Sequence, residues 1–390
     1  MEIRDYKYIL IPNILAKYQC SASGECCKDK WRIDIDEDSY LKTKTNLDNL
    51  NEDINTCIEK IDNSYITKFS RGYCKFITEE KLCRIHRDFG WECLSNTCKV
   101  YPRNLKLTSR GLEISLVFSC SSAAKLLLSK EKFEIIKIKK EEFFLMKPNN
   151  ISFLIPENNI KTNISSKYYE LENLLINILN SEENLGKKLQ YIDITLKTIL
   201  STEIKEFDFK KSNKDFLDFK EKDYSSSGVA DLVVKTILAK RERSKAVASE
   251  YINLLKLIRL TGTLEKDRDI LRDESFILND EDIDMLKKLW PKDYDNILKN
   301  YLLCSVFNKD FYYNITYGFM KLVISGALLK FKILLNIKYL KRALSEEELI
   351  YTIKSHDNDL VHDGEFFNEF YKKNEIDINE YNKKILTILY

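Results

Sequence analysis

Cysteine is the residue type in this sequence whose number and spacing could support chemistry. The chain has 390 residues and ten cysteines, and nine of the cysteines fall between Cys20 and Cys120. Cys26 and Cys27 are adjacent, and adjacent thiols cannot easily bridge each other, because a disulfide requires a defined distance and orientation of its two Cβ atoms. We therefore expect the partners of these two thiols elsewhere in the chain.

The compartment expected for this protein favours metal binding over disulfides. The first ten residues contain four charged side chains, so they lack the apolar core of a signal peptide. The longest apolar region, residues 319–337, contains three lysines, which favours a buried or amphipathic helix over a membrane span. A soluble, cytoplasmic protein keeps its thiols reduced, and clustered thiols in that environment indicate a metal site.

The cysteine spacing leaves the identity of the metal open. Zinc ribbons usually present CxxC turns, and no CxxC occurs in the sequence. Single cysteines from separate hairpins can also hold an iron–sulfur cluster, so both zinc and iron fit the spacing. The alternative is that the cysteines are ordinary small residues of a hydrophobic core.

The composition argues against two classes of partner. Hydrophobic residues make up 44% of the chain, which is enough for one large or two ordinary domains. The formal net charge is only +2, and no block of like charge stands out. We therefore expect neither nucleic acid nor a membrane surface as a partner.

The order of patterns along the chain predicts an α+β protein. Residues 1–130 are expected to form a small, irregular cysteine-rich domain with short hairpins, and residues 131–390 an all-α helical domain. Within the first domain, the sequence around Leu41 to Ile66 has apolar residues at a helical period. Polar residues between Cys74 and Cys83 predict a small hairpin that brings these two thiols together.

A second hairpin is predicted further along the first domain. Leu105 and Leu107 alternate with polar residues, Gly111 supplies the turn, and the alternation resumes at Ile114 and continues towards Cys120.

The second domain is predicted from apolar residues that recur at three- and four-residue steps. Such patterns cover residues 171–179, 185–196, 229–260, 280–289 and 302–370, and the polar stretch 209–228 is predicted to be a loop. No internal repeat at the usual solenoid periods is present.

Several blocks of the cysteine-rich part closely resemble the flagellin lysine N-methylase family. The blocks are C-C-K-D-K-W-R-I-D-I-D, G-Y-C-K-F-I, L-C-R-I-H, G-W-E-C-L-S-N-T-C-K-V-Y-P-R and L-E-I-S-L-V-F-S-C-S-S-A-A-K-L-L-L. The N-terminal region of that family is related to cysteine-rich proteins described as zinc- or iron-chelating. The resemblance continues through Y-Y-E-L-E-N-L-L-I-N-I-L-N, N-Y-L-L-C-S-V-F and A-L-S-E-E-E-L-I, so it covers most of the chain.

The resemblance implies an enzyme that transfers methyl groups from S-adenosylmethionine to lysines of flagellin. It also implies an iron–sulfur cluster, of the 4Fe–4S type, with zinc as the alternative metal. The family's cysteine positions fall on Cys20, Cys26, Cys27, Cys74, Cys83, Cys98 and Cys120. Cys57, Cys93 and Cys304 lie off the pattern, and related sequences carry a further cysteine where this chain has Ala22, Ser23 and Gly24.

Three residues close to the thiols are candidates for catalysis. Tyr101 and Arg103 follow Cys98, and Arg103 could bind a carboxylate such as that of the methionine moiety. Glu113 could accept a proton from the substrate lysine. The alternative for both charged residues is structural, with Arg103 and Glu113 paired across the second hairpin.

Other polar and aromatic residues are expected to be structural. His86 could be a ligand or a hydrogen-bond donor to one, but a structural role is favoured. Trp31 is expected to cover the loop that carries the adjacent cysteines. His356 and His362 are six apart on a predicted helix, so they lie on different faces and do not form a metal pair.

The sequence supports two other hypotheses. One is a non-enzymatic zinc- or iron-binding module whose helices bind a partner. The other is a thiol redox protein, which the absence of CxxC disfavours. A Rossmann-type cofactor site is not expected, because no glycines form a GxG.

Overall fold

The structure is a computed structural model that describes residues 8–28, 33–139, 152–153, 167–202, 206–222, 285–312, 314–361 and 389. The chain divides into two compact units. Unit 1 consists of Met1–Leu126 with Ile135–Pro156, and unit 2 consists of Leu127–Glu134 with Glu157–Tyr390. The sequence predicted a single boundary, after residue 130.

The strands lie in the N-terminal part and the helices dominate the C-terminal part, which confirms the predicted α+β class. The strands are β1 (Tyr8–Pro12), β2 (Asp34–Ile35), β3 (Ile58–Ile61), β4 (Ser64–Thr67), β5 (Phe69–Ser70), β6 (Tyr73–Cys74), β7 (Arg103–Thr108), β8 (Gly111–Leu116), β9 (Ile135–Lys139) and β10 (Ser152–Phe153). The helices are α1 (Asn13–Ala16), α2 (Glu37–Asp48), α3 (Arg84–Phe89), α4 (Asn96–Val100), α5 (Ser121–Leu126), α6 (Tyr168–Asn180), α7 (Leu185–Ser201), α8 (Phe209–Asp218), α9 (Asp293–Phe307), α10 (Ile315–Leu340) and α11 (Glu346–Val361). Short 3-10 turns cover Glu25–Cys27, Ile54–Thr56 and Trp91–Cys93, and residues 285–288 form one helical turn.

The largest sheet of unit 1 contains the second predicted hairpin. Its strand order is β10-β7-β8-β1-β9, with β7 antiparallel to β8 and β1 parallel to β8. The two-residue turn is formed by Ser109 and Arg110, and Gly111 begins β8 directly after it, opposite Thr108, with a φ of 125°. The prediction that the second strand continues to Cys120 is wrong. The strand ends at Leu116, opposite Arg103, because Pro102 precedes the partner strand and has no N–H for the ladder.

A three-stranded sheet, ordered β2-β4-β3, replaces part of a predicted helix. The helical pattern from Leu41 to Ile66 holds only to Asp48, where α2 ends. Beyond it, the backbone turns at Asn51 and Asp62, both with positive φ, and β3 pairs with β4 across the second turn. Short polar residues tolerate this left-handed backbone, so they end the helix and form the hairpin.

The predicted turn between Cys74 and Cys83 is present. Ile77 pairs with Cys83 as an isolated antiparallel bridge, and the Thr78 N–H donates to the Leu82 carbonyl at 2.9 Å. The Arg84 N–H donates to the Phe76 carbonyl at 2.7 Å. The turn therefore returns the chain alongside itself and ends at the start of α3.

The helices of unit 2 follow the apolar periodicity in most of the described regions. The predictions for residues 171–179 and 185–196 are confirmed by α6 and α7. The loop predicted over 209–228 is wrong for its first part, where Asp208 caps α8 by accepting the Lys211 N–H at 2.9 Å. The patterns at 229–260, 280–284 and 362–370 lie outside the described residues.

The core of unit 2 is built on α10, a helix of 26 residues. Its side chains from Leu322 to Ile337 are buried almost without exception, and the predicted reading of this region as a buried helix is confirmed. No helix in the described residues has the length and apolar character needed to span a bilayer.

Candidate functional site

Five of the seven predicted metal-ligating cysteines come together in unit 1. Cys26 and Cys27 lie on the 3-10 turn, and the thiol of Cys27 hydrogen-bonds with both Cys26 and Cys83. The thiol of Cys98 interacts electrostatically with Cys83, Cys74 and Cys26. We call these residues the five-thiol group: Cys26, Cys27, Cys74, Cys83 and Cys98.

Short secondary-structure elements position each thiol of the group. Cys74 ends β6, Cys83 is the residue before α3, and Cys98 lies in α4. Helix α4 is capped by Ser95, whose Oγ accepts the Cys98 N–H at 3.2 Å. Short turns and helix caps therefore bring together thiols that lie far apart in the sequence, and no single long element carries them.

A small apolar cavity of about 30 Å³ lies among the thiols. This is enough space for roughly one water molecule or a single ion. Its lining includes four thiols of the group and Cys93, together with Ile33, Ile35, Thr43, Thr67, Phe76, Ile85, Leu94 and Ser95.

Hydrogen bonds set the protonation of the thiols. The pKa of Cys83 falls to about 7, because the Cys27 thiol hydrogen-bonds to it and the backbone N–H groups of Ile85 and His86 donate to its sulfur. Burial has the opposite effect and raises the pKa of Cys74 to about 11 and that of Cys98 to about 12.

Cys27 completes this pattern. Its hydrogen bonds with Cys26 and Cys83 are the largest causes that raise its pKa well above the ordinary value. The hydrogen bond between Cys27 and Cys83 thus lowers the pKa of Cys83 and raises that of Cys27, so that a thiolate forms more readily on Cys83 than on Cys27.

The donor set matches the chemistry of zinc or iron–sulfur binding. Both need several thiolates, and N–H donors to sulfur tune such sites. Among the described residues, no three or more His, Cys, Asp or Glu side chains already have the arrangement of a metal site.

The other two predicted ligands, Cys20 and Cys120, form a second group with Tyr18 and Arg103. The Tyr18 hydroxyl lies 3.8 Å from the Cys120 sulfur, and the Arg103 guanidinium lies 5.2 Å from the centre of the Tyr18 ring. All four side chains interact electrostatically with one another. Burial raises the pKa values of Tyr18 and Cys120 and lowers that of Arg103. Neither Cys20 nor Cys120 lines the cavity.

The predicted pairing of Arg103 with Glu113 is wrong. Glu113 faces Lys106 in the hairpin register, while Arg103 faces Leu116. The carboxylate of Glu113 instead accepts hydrogen bonds from Arg110 at 3.0 and 3.1 Å and from the Thr108 hydroxyl at 2.8 Å.

Glu113 is therefore a buried structural carboxylate of the hairpin turn, and this disfavours its predicted role as a base. The Tyr101 hydroxyl lies 3.2 Å from the hydroxyl of Ser119, the residue before Cys120. The catalytic roles considered for Tyr101 and Arg103 stay predictions.

The cysteines outside the family pattern differ from one another. Cys93 lines the cavity, and its thiol donates to the Phe89 carbonyl at 3.3 Å. Cys57 packs against the same core. Cys304 is buried on α9 in unit 2.

The histidines and Trp31 were predicted to be structural. The side chain of His86 is exposed, and only its backbone N–H reaches a cysteine sulfur. His356 is buried in unit 2, with its ring 5.5 Å from that of Tyr301. Trp31 and His362 lie outside the described residues.

Sequence reasoning missed Tyr18 and Cys93 as neighbours of the thiols. The available signal was position alone, since Tyr18 is two residues before Cys20 and Cys93 lies between Cys83 and Cys98. Spacing does not specify which thiols meet in space.

Known proteins share limited similarity with this chain. A segment of 129 residues, 30% of the chain, is 27% identical to a lysine-N-methylase of Salmonella typhimurium and covers 32% of that protein. A lysine-N-methylase of Salmonella choleraesuis matches with the same identity and coverage. The flagellar biosynthetic protein FliU of Salmonella muenchen is 27% identical over 128 residues, which are 30% of this chain and 75% of FliU.

These matches link the chain loosely to lysine N-methylases. The matched segment spans about a third of the length of the two lysine-N-methylases. No family model and no solved structure matches.

Proposed function

We propose that this protein is a protein-lysine N-methyltransferase that modifies flagellin with methyl groups from S-adenosylmethionine. The observation that carries the proposal is the similarity to proteins named lysine-N-methylase, and the similarity to a flagellar biosynthetic protein supports flagellin as the substrate. The residue blocks around the cysteines support the same family.

The five-thiol group is the part of the proposal that the geometry supports best. We assign to it a metal group, an iron–sulfur cluster by family resemblance and zinc as the alternative. Thiolates would ligate it, and when bound it would supply redox chemistry as a cluster or a rigid cross-link as zinc. The thiols of Cys27, Cys74 and Cys98 would lose their protons on binding, so metal affinity should rise with pH.

The substrate sets a second requirement. A lysine side chain has a pKa of about 10.4 and is mostly protonated at neutral pH, so a methylase must remove a proton before the nitrogen can attack a methyl group. Glu113 is held by Arg110 and Thr108 in the hairpin turn, and the base is therefore to be sought among other residues.

The test is methylation of flagellin by protein purified without oxygen. The purified full chain is incubated with S-adenosylmethionine and flagellin from its own source, and lysine peptides are examined by mass spectrometry for added methyl groups. The Cys83→Ser variant should lose metal and activity, whereas Cys57→Ser should keep both. Absence of methylation by metal-loaded protein would reject the enzymatic proposal.

The second candidate is a non-enzymatic metal-binding module. It is favoured by the position of Cys27 and Cys74 within the hydrophobic core of unit 1, where a metal would serve to fix the fold. This hypothesis expects stoichiometric metal, loss of stability on metal removal and no methyl transfer in the same assay.

A further inference from the structure

The structure divides the seven predicted ligands unequally, and the smaller group consists of Cys20 and Cys120. Cys20 is exposed and Cys120 is partly exposed, and neither lines the cavity among the thiols of the five-thiol group. Small molecules in solution can therefore reach Cys20.

Direct hydrogen bonds hold the segments that carry these two cysteines side by side. The Ser21 N–H donates to the Ser122 hydroxyl at 3.3 Å, and the two serine hydroxyls lie 2.9 Å apart. The Ser121 hydroxyl also donates to the Glu25 carboxylate. Residues 21 and 122 are thus neighbours, and each is within two positions of a cysteine.

The immediate surroundings of the two sulfurs suit a thiol pair. The Ala22 N–H lies 3.4 Å from the Cys20 sulfur, and backbone N–H groups of Ser122 and Ala123 donate to the Cys120 sulfur. Arg103 adds a positive charge beside both sulfurs. Burial nevertheless raises the pKa of the Cys120 thiol, so Cys120 must lose a proton before it can act as a nucleophile in thiol–disulfide exchange.

We propose that Cys20 and Cys120 are a reversible redox pair, separate from the metal-binding five-thiol group, which oxidises to an intramolecular disulfide by exchange with a small disulfide. In the first step Cys20 loses its proton to solvent and attacks one sulfur of the small disulfide, forming a mixed disulfide and releasing one small thiolate, which takes up a proton from solvent. In the second, Cys120 loses its proton to solvent and attacks the Cys20 sulfur, which releases the second small thiolate. The two protein thiols are oxidised by two electrons, and the small disulfide is reduced to two thiols.

The proposal reassigns two cysteines that family resemblance places with the metal. It does not depend on methyltransferase activity, because its measurements are covalent linkage and metal content. Loss of the disulfide would leave the methylation proposal intact, and loss of methylation would leave the redox pair intact.

The linkage test uses the full chain, purified without oxygen and treated with oxidised glutathione. After remaining thiols are alkylated, the protein is digested without reductant and analysed by mass spectrometry. We expect a peptide that joins Cys20 to Cys120 and disappears with dithiothreitol. In Cys120→Ser, Cys20 should instead carry glutathione, and in the control Cys57→Ser the linked peptide should remain.

Metal content separates the redox pair from a set of ligands. Iron and zinc are measured in Cys20→Ser, Cys120→Ser, Cys83→Ser and the unsubstituted protein. We expect the first two variants to retain the metal of the unsubstituted protein and Cys83→Ser to lose most of it. Loss of metal in Cys20→Ser or Cys120→Ser would overturn the proposal, as would oxidation that links other cysteines and leaves Cys20 and Cys120 unjoined.

Discussion

The two units of this protein are stabilised by different kinds of core. The core of unit 1 around the thiols is small, contains Cys27, Cys74 and Cys93, and is enclosed by strands of two to four residues, short helices and turns, and the twelve-residue helix α2. The core of unit 2 is built from helices of up to 26 residues with long runs of aliphatic side chains. Short elements bury little apolar surface each, so a region such as unit 1 gains most from an added cross-link.

This difference predicts how a substitution in each unit affects its stability. In unit 2, a change acts through lost apolar contacts or broken buried polar pairs, and its effect follows from the local geometry. Around the five-thiol group of unit 1, a change of a ligand would also weaken the binding of the proposed metal, and folding with it, because metal binding and folding are coupled. Four experiments test this comparison.

The largest effect is expected for Cys83→Ser in unit 1. Structural zinc binds with about 10–16 kcal/mol in small domains, so loss of a ligand removes a large share of the stabilisation. We expect loss of bound metal and of the thermal unfolding transition of unit 1, measured by metal analysis and calorimetry. Cys304→Ser, in the core of unit 2, should retain the metal. If both variants keep their metal, the contrast between the units is wrong.

The next effect is expected in unit 2, at a buried ion pair. The Lys309 ammonium donates to Glu172 at 2.5 Å and to the Phe307 carbonyl at 2.8 Å, and both charged side chains are fully buried. Lys309→Met should lower the free energy of unfolding by about 3–5 kcal/mol, because it leaves a buried carboxylate without this partner. Urea denaturation measures the change.

The matched control is the double variant Lys309→Met with Glu172→Leu. It removes both charges, so most of the lost stability should return. A single variant that costs as little as the double one would show that the pair is not desolvated. The metal content of unit 1 should stay the same in both variants.

The elements predicted correctly from the sequence are those specified by neighbouring residues. The hairpin of β7 and β8 follows from alternation and Gly111, and α6 and α7 follow from apolar residues at helical spacing. The helix predicted over 41–66 was wrong after Asp48. Strands β3 and β4 instead pair with each other as an antiparallel hairpin across a turn at Asp62. A helical period of a few residues cannot exclude such pairing.

The candidate site was predicted as a set of residue types rather than as a geometry. Family resemblance listed seven cysteines, but their division into two groups depends on the fold of loops that are far apart in sequence. The partner of Glu113 was missed for a similar reason. Arg103 and Glu113 lie on paired strands, yet the register places Arg110, from the turn, against the carboxylate.

A double-mutant cycle on the hairpin tests the pairing of Glu113 with Arg110, and its expected effect on stability is moderate. Glu113 is nearly fully buried and accepts two hydrogen bonds from Arg110. Arg110→Ala should lower the free energy of unfolding by about 2 kcal/mol, the range of hydrogen bonds to charged groups. The cycle of Arg110→Ala with Glu113→Gln should give a coupling energy of about 1 kcal/mol or more.

The same cycle with Arg103→Ala is the control. Arg103 lies beside Tyr18, Cys20 and Cys120, so its coupling to Glu113→Gln should be close to zero. A larger coupling through Arg103 than through Arg110 would restore the pairing predicted from the sequence.

The smallest effect is expected at the start of α11, where Ser345 and Glu348 form a capping box. The Ser345 N–H donates to the Glu348 carboxylate at 2.8 Å, and the Glu348 N–H donates to the Ser345 hydroxyl at 3.3 Å. Arg342 adds two hydrogen bonds of 2.8 Å to the same carboxylate. Together, with the Arg342 hydrogen bonds as the largest cause, they lower the pKa of Glu348 to about 2.

A carboxylate with a lowered pKa stabilises the fold only while it is ionised. The contribution of Glu348 is therefore fully present above its ordinary pKa of 4.5 and is lost as pH falls through about 2. Because the pair is partly solvent-screened, Glu348→Gln should lower the free energy of unfolding of unit 2 by only about 1 kcal/mol at pH 7. Urea denaturation between pH 7 and the lowest pH at which unit 2 stays folded should show the difference from the unsubstituted protein shrinking below pH 4.5. Glu347→Gln removes the same charge from the same turn without the capping contacts, and an equal loss in that variant would show that helix-end charge, not the capping box, is the cause.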